Sequence, residues 1–226
     1  MKAETFQPPE FRSGGRTLER RKLLPTIPVV SKRLLPANFF IDIRMTEISN
    51  HILLVSGSGQ NVGKTSFIRR VIAQNAGQKI AAIKITPHFH EPTRGLAPMV
   101  VTDNYRIFQE TDLTSGKDSS LFLQAGADRV FYIQTSDDYL EEAFSLVLEQ
   151  LDPVKPVVIE SAALRKILKP TFYLFIQNKF EDVKPVALEM QKLADVNVYS
   201  DSGQFSIDPS AFNFDQTWKT EQDDIS

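Results

Sequence analysis

The chain of 226 residues contains no cysteine, which excludes disulfides and thiolate metal sites. No apolar run approaches the ~20 residues that a membrane helix needs, so no membrane partner is expected. Histidine is scarce, with three in all, too few for a closed structural site without thiolates. A basic surplus is missing from the main body, where residues 45–226 carry 17 Lys/Arg against 24 Asp/Glu. That balance argues against nucleic acid as a partner. What is present is an ordinary globular composition, 42% hydrophobic and 24% charged, enough for one sizeable domain. The lack of cysteine agrees with a reducing compartment, and a cytoplasmic protein is the expectation.

Residues 1–44 reverse the charge balance, with nine Lys/Arg against four Asp/Glu, and hold five of the thirteen prolines. No helix period survives those prolines. Two prolines in "KLLPTIPVV" interrupt the apolar core that a secretory signal requires, and Glu4, Glu10 and Glu19 argue against a transit peptide. The segment reads as a disordered basic extension, or as a non-native one with Met45 as the start. The domain is expected over 45–213, with 214–226, ending in "TWKTEQDDIS", a loose tail.

From residue 50 onward, short apolar runs alternate with helical patterns. Strands are expected at 52–55, 79–85, 129–134, 156–161, 172–178 and 196–200. Helices are expected at 64–74, 118–127, 136–151 (capped by Ser136) and 183–193. The polar stretch 87–116 reads as loop, with one strand around 105–108. The runs "PVVIES" and "FYLFIQN" suit strands buried on both faces. Such alternation implies an α/β fold of three layers, with a mostly parallel sheet between helices. Ligands of such sheets bind at the carboxyl ends of strands, so the residues after each run are the candidates.

The first strand runs into "SGSGQNVGKTSF". The residues Gly57, Ser58, Gly59, Gln60, Asn61, Val62, Gly63, Lys64, Thr65 and Ser66 form a phosphate-binding loop followed by a helix. Backbone N–H groups and the helix N-terminus can wrap a phosphate. Lys64 would reach the β- and γ-phosphates, and Thr65 would hold Mg²⁺. The usual first glycine falls on Ser58, and the glycines stand at 57 and 59 instead.

Lys84, inside an apolar strand, is read as a ligand for a second anionic group. His88, His90 and Glu91 follow, a polar loop with an open role in gripping a substrate anion. Asp118 opens a helix, as its N-cap and as a Mg²⁺ ligand. Glu160, at the tip of a buried strand, is the second metal-organising carboxylate. Asn178 and Lys179 stand where guanine-reading residues occur in GTP-binding proteins, and Ser200-Asp201-Ser202 form a candidate wall of a base pocket.

These pieces resemble two families. The spacing of Gly57 to Gly63, with Val62 before Gly-Lys-Thr, Lys84 at the second strand and Glu160 at a later one, is similar to dethiobiotin synthetase. The order "IKITPHFHE", then Gly116-Lys117-Asp118-Ser119, then Ala125-Gly126-Ala127, resembles the molybdopterin-guanine dinucleotide biosynthesis protein B family. Ser161-Ala162-Ala163-Leu164 follow Glu160 where both families continue into glycine. The second resemblance implies a GTP-binding, often dimeric protein that assists nucleotide attachment to molybdopterin, with a partner enzyme of cofactor biosynthesis. The first implies an ATP-dependent ligase or kinase acting on a small acid. Shared by both is a nucleoside triphosphate, GTP or ATP, bound with Mg²⁺, with Lys64, Lys84, Asp118 and Glu160 as the catalytic set.

Overall fold

A computed structural model describes residues 48–220. The expectations for residues 1–44, and for Met45 as a start, lie outside the described residues. Among the described residues no helix is long and apolar enough to cross a membrane.

Among the described residues the first strand is β1 (Ile52–Gly57), whose apolar run is buried from Ile52 to Val55. A glycine-rich loop leads into α1 (Lys64–Gln74), which buries Phe67, Ile68, Val71 and Ile72 on one face. Then come β2 (Ala81–Thr86), β3 (Leu96–Val101) and β4 (Tyr105–Glu110), followed by α2 (Asp118–Gln124) and β5 (Arg129–Thr135). The helix α3 (Leu140–Leu148), β6 (Val157–Glu160), β7 (Phe172–Asn178), α4 (Pro185–Lys192) and β8 (Val196–Asp201) complete the alternation. The short β9 (Gln204–Phe205) and the hairpin of β10 (Phe212–Asp215) and β11 (Thr217–Thr220) end the described chain.

Among the described residues nine strands form one sheet in the order β3-β4-β5-β2-β6-β1-β7-β8-β9. The six from β5 to β8 are parallel, and antiparallel strands stand at both edges. Two hydrophobic clusters fill the faces. One gathers Phe67 and Val71 of α1 and Phe122 of α2 against Leu53, Val55 and Val158. The other gathers Leu140, Phe144 and Val147 of α3 against Leu54, Ile83 and Ile159. Successive strand residues feed opposite faces, so the central strands must be apolar throughout. The expected three-layer α/β architecture is observed.

Four expectations are corrected. The stretch 87–116 holds a hairpin rather than a single short strand. β3 escapes a sequence pattern because Pro98 interrupts it and Ala97, Pro98 and Met99 are exposed. An edge strand tolerates a residue without an N–H, and the register shifts between Pro98 and Val100. The helix expected at 136–151 opens with a 3-10 turn, and the Ser136 side chain makes no capping bond. Asp118 is the first helical residue, with Lys117 in the cap position.

The loose tail expected from 214 is the fourth. Trp218 is 2% exposed, packs edge-on against Phe214 and donates its indole N–H to the His51 carbonyl at 2.8 Å. Thr217 Oγ1 donates to Asn50 O at 2.9 Å. Asn75, at the end of α1, bonds the main chain of both Phe212 and Phe214. The hairpin therefore closes the α1 face, and residues 221–226 follow the last described residue.

Candidate functional site

A cleft of about 1450 Å³ opens at the carboxyl ends of β1, β2 and β6. Its position follows from strand order: β6 inserts between β1 and β2, so three strand ends that are distant in sequence meet. Register then sets one row across the sheet, with Tyr132 beside Lys84, Lys84 beside Glu160, and Glu160 beside Val55.

The glycine-rich loop forms one end. Residues 57–66 line the cleft, except Val62, whose side chain is buried in the core under the loop. Gly57 is required because a Cβ there would collide with the Ile176 carbonyl of β7, which accepts a bond from Ser58 N at 3.0 Å. Gly63 adopts φ 96°, and its Cβ would press the Phe205 ring at 2.9 Å. Gly59 meets neither constraint. The loop carbonyl of Val62 is held from behind by Ser200 Oγ at 2.8 Å.

Gly63 caps α1 without a side chain, and the first intrahelical bond runs from Phe67 N to Gly63 O. The N–H groups of Lys64, Thr65 and Ser66 precede that bond and belong to the unpaired first turn of a helix. At most helix starts a Ser, Thr, Asp or Asn oxygen takes up such a group. Gly63 has no such oxygen, and no side chain caps this helix start. Lys64 Nζ reaches over the loop to the Gly59 carbonyl at 2.6 Å. Burial lowers the Lys64 pKa, Glu160 offsets this in part, and the neighbouring Lys84 charge adds to it.

The cleft's middle is ionic. Lys84 Nζ donates to Asp118 Oδ2 and, at 3.2 Å, to Glu160 Oε1. The other Glu160 oxygen accepts from Thr65 Oγ1 at 3.4 Å. Glu160 is 7% exposed. Burial opposes the Lys84 charge, but Glu160 and the hydrogen bond from Lys84 to Asp118 outweigh it and leave the pKa raised. Asp118 owes its place to Glu110, a buried carboxylate that sequence reasoning missed. Glu110 accepts from Ser119 Oγ at 2.6 Å and from Thr111 N and Asp112 N at 3.1 and 2.9 Å.

The far end is lined by Thr86, His88, His90, Thr93, Lys117 and Tyr132. Tyr132 was visible in the sequence only as a polar ring within an apolar strand. The rings of His88 and His90 lie 6.1 Å apart, and Gln134 Nε2 secures the loop through the His90 carbonyl at 2.9 Å. Among the described residues no three His, Cys, Asp or Glu side chains come together as a metal cage.

Two expectations, the base-reading pair Asn178-Lys179 and the pocket wall Ser200-Asp201-Ser202, find no support in the cleft lining. Asn178 and Lys179 do not line the cleft, although Glu181, Asp182 and Lys184 do. The Asn178 amide is engaged locally, accepting from Phe180 N and donating to Glu181. Ser200, Asp201 and Ser202 are not in the cleft wall either; Ser200 supports the loop instead. No family model, no curated protein and no solved structure matches the chain.

Proposed function

We propose that the chain is a P-loop protein that binds a nucleoside triphosphate, GTP or ATP, with Mg²⁺, and carries out slow hydrolysis or phosphoryl transfer. The observation that carries this reading is the glycine-capped start of α1, with Lys64 Nζ poised over the loop. Unpaired N–H groups, a positive helix end and an incompletely compensated ammonium all favour a bound phosphate.

The donor set fits Mg²⁺. Thr65 Oγ1 and Glu160 Oε2 are hard oxygens facing each other at 3.4 Å, with Asp118 on the other side of Lys84. Magnesium in such sites uses one or two carboxylates together with substrate phosphates, so a three-carboxylate cage is not needed. When bound, the ion would neutralise charge on the β- and γ-phosphates. Lys64 and the loop amides would take up charge developing on the γ-phosphate. Asp118, the more exposed carboxylate, would orient an attacking hydroxyl or water.

Of the two roles open to such a protein, the first is a GTP-binding adaptor for a partner enzyme in molybdopterin-guanine dinucleotide biosynthesis. A second reading, an ATP-dependent kinase or ligase acting on a small acid, is favoured by the cleft's size. At about 1450 Å³ it exceeds the roughly 300–1,000 Å³ of most single-ligand pockets. His88, His90 and Lys117 at its far end suit an anionic acceptor.

Calorimetric titration of Mg·GTP and Mg·ATP into the protein and into Lys64→Ala tests the common core. The expected result is binding to the parent and a loss of about 10- to 100-fold in the variant, the scale of charge-assisted bonds. Equal affinity for parent and variant would sink the phosphate-loop reading. Turnover that needs a small acid favours the second role, and turnover without one the adaptor.

A further inference from the structure

The oxygens that suit a divalent cation already have a cation among them. One ammonium, Lys84 Nζ, contacts both Asp118 and Glu160. It arrives there by construction, since the strand register sets Lys84 opposite Glu160. Asp118 comes to the same point from α2, whose start is tied to buried Glu110 through Ser119. Thr65 approaches from the glycine-rich loop. Among the described residues two ammonium groups, Lys64 and Lys84, and two carboxylates, Asp118 and Glu160, interact around this point, so the formal charges of these four cancel.

We propose that Lys84 is a built-in counter-ion that closes the Thr65, Asp118 and Glu160 oxygens to a free divalent cation. It yields them only when the phosphates of a nucleotide supply anionic charge of their own. This rests on the nucleotide-binding reading for its second half, but its first half concerns the nucleotide-free protein.

The physical basis is charge balance in a partly buried site. A divalent ion entering alone would displace an ammonium from its carboxylates and stand close to Lys64, with no net gain in compensating charge. Bound phosphates change the balance, because both ammonium groups then gain oxygen partners. The four-carbon stem of Lys84 lets its head swing from the carboxylates toward a ligand while β2 stays in register. Metal and nucleotide would thus bind interdependently, each raising the affinity of the other by the same factor.

The test is a Mn²⁺ titration followed by electron paramagnetic resonance, with the nucleotide-free full chain and its Lys84→Gln and Lys84→Arg variants. Mn²⁺ serves as the visible substitute for Mg²⁺. Expected are weak binding to the parent and to Lys84→Arg, and binding at least about tenfold tighter to Lys84→Gln. Adding Glu160→Gln to Lys84→Gln should abolish the gain, which places the ion at this site. Tight Mn²⁺ binding by the nucleotide-free parent overturns the proposal, whatever the variants do. So does a folded Lys84→Gln protein that gains none, or a gain that persists without the Glu160 carboxylate. Parallel calorimetry with a non-hydrolysable GTP or ATP analogue separates the two claims. Failure of the parent to bind either analogue strikes the proposed function, whereas absence of the Mn²⁺ gain strikes the counter-ion role.

Discussion

At one end of the cleft Lys64 has a carbonyl oxygen as its partner, and in the middle, only a strand away, Lys84 lies between two carboxylates. Both ammonium groups are partly buried, yet their pKa values move in opposite directions. The loop end is built from main chain: glycines, a side-chain-free helix cap and a lysine whose charge is poorly compensated. The ionic centre is built from side chains that compensate one another. Local backbone geometry thus leaves a positive helix end without a side-chain cap, while tertiary pairing satisfies charge internally. The first kind of site is sensitive to a methyl group and the second to a lost charge.

The largest effect that would break this contrast is expected from Gly57→Ala. The added Cβ meets the Ile176 carbonyl and comes within 3.0 Å of the Val62 side chain, so β1 and β7 must part. A loss of about 2–3 kcal/mol in stability, read from urea unfolding, is expected for such overpacking. Gly59→Ala, with open space around its Cβ, should cost less than about 0.5 kcal/mol. Equal losses for the two would show that the loop's glycines are not distinguished by backbone contact.

Lys84→Met comes next. It leaves Glu160 buried without its cation, and a loss of about 1–3 kcal/mol is expected. The Asp118 share is the smaller because that carboxylate is more than a third exposed. A raised lysine pKa contributes stability that is complete below the unfolded value of 10.5 and fades as pH rises through the higher folded value. The deficit of Lys84→Met should therefore stay level from about pH 6 to about pH 9. A deficit that vanishes within that range would contradict the pairing.

Lys64→Met should move stability the other way. Its lowered pKa means that the charged form costs the folded state, fully below the folded pKa and no longer above 10.5. A small rise in Tm is expected at neutral pH in the nucleotide-free protein, with the gain shrinking in alkali. A fall in Tm at neutral pH would show that Lys64 is compensated after all. The smallest effect belongs to Asn178→Ala. With its amide tied to Phe180 and Glu181 outside the cleft, the ratio of GTP to ATP affinity should shift by less than about threefold.

Much of this was legible in the chain itself. Central strands announced themselves because burial on both faces demands unbroken apolar runs, as in β1 and β7. α1 followed from its glycine-rich start and its single apolar stripe. Edge structure was not legible: β3 carries a proline that only an unpaired edge accepts, and Trp218 looked stranded in a polar tail until His51 supplied its partner. Asn178 followed a strand as a base-reading residue would, but its place outside the cleft depended on how the turn after β7 folds. Glu110 gave no signal: two of its bonds are to the main chain of the adjacent Thr111 and Asp112, and the one from Ser119 that ties it to α2 depends on how the loop between them folds.

By itself the sequence determined the loop as a glycine spacing, and Gly63 answers to a local constraint, its left-handed φ of 96°, whereas the contact that demands Gly57 comes from Ile176 of β7. The sequence also determined which runs must be central strands, because hydrophobic burial depends on composition and period. Only the tertiary structure decided that β6 lies between β1 and β2, with Glu160 beside Lys84 and within reach of Thr65. Strand order and register are non-local outcomes of packing both sheet faces at once, and they set Lys84, read from the sequence as an anion ligand, between the Asp118 and Glu160 carboxylates.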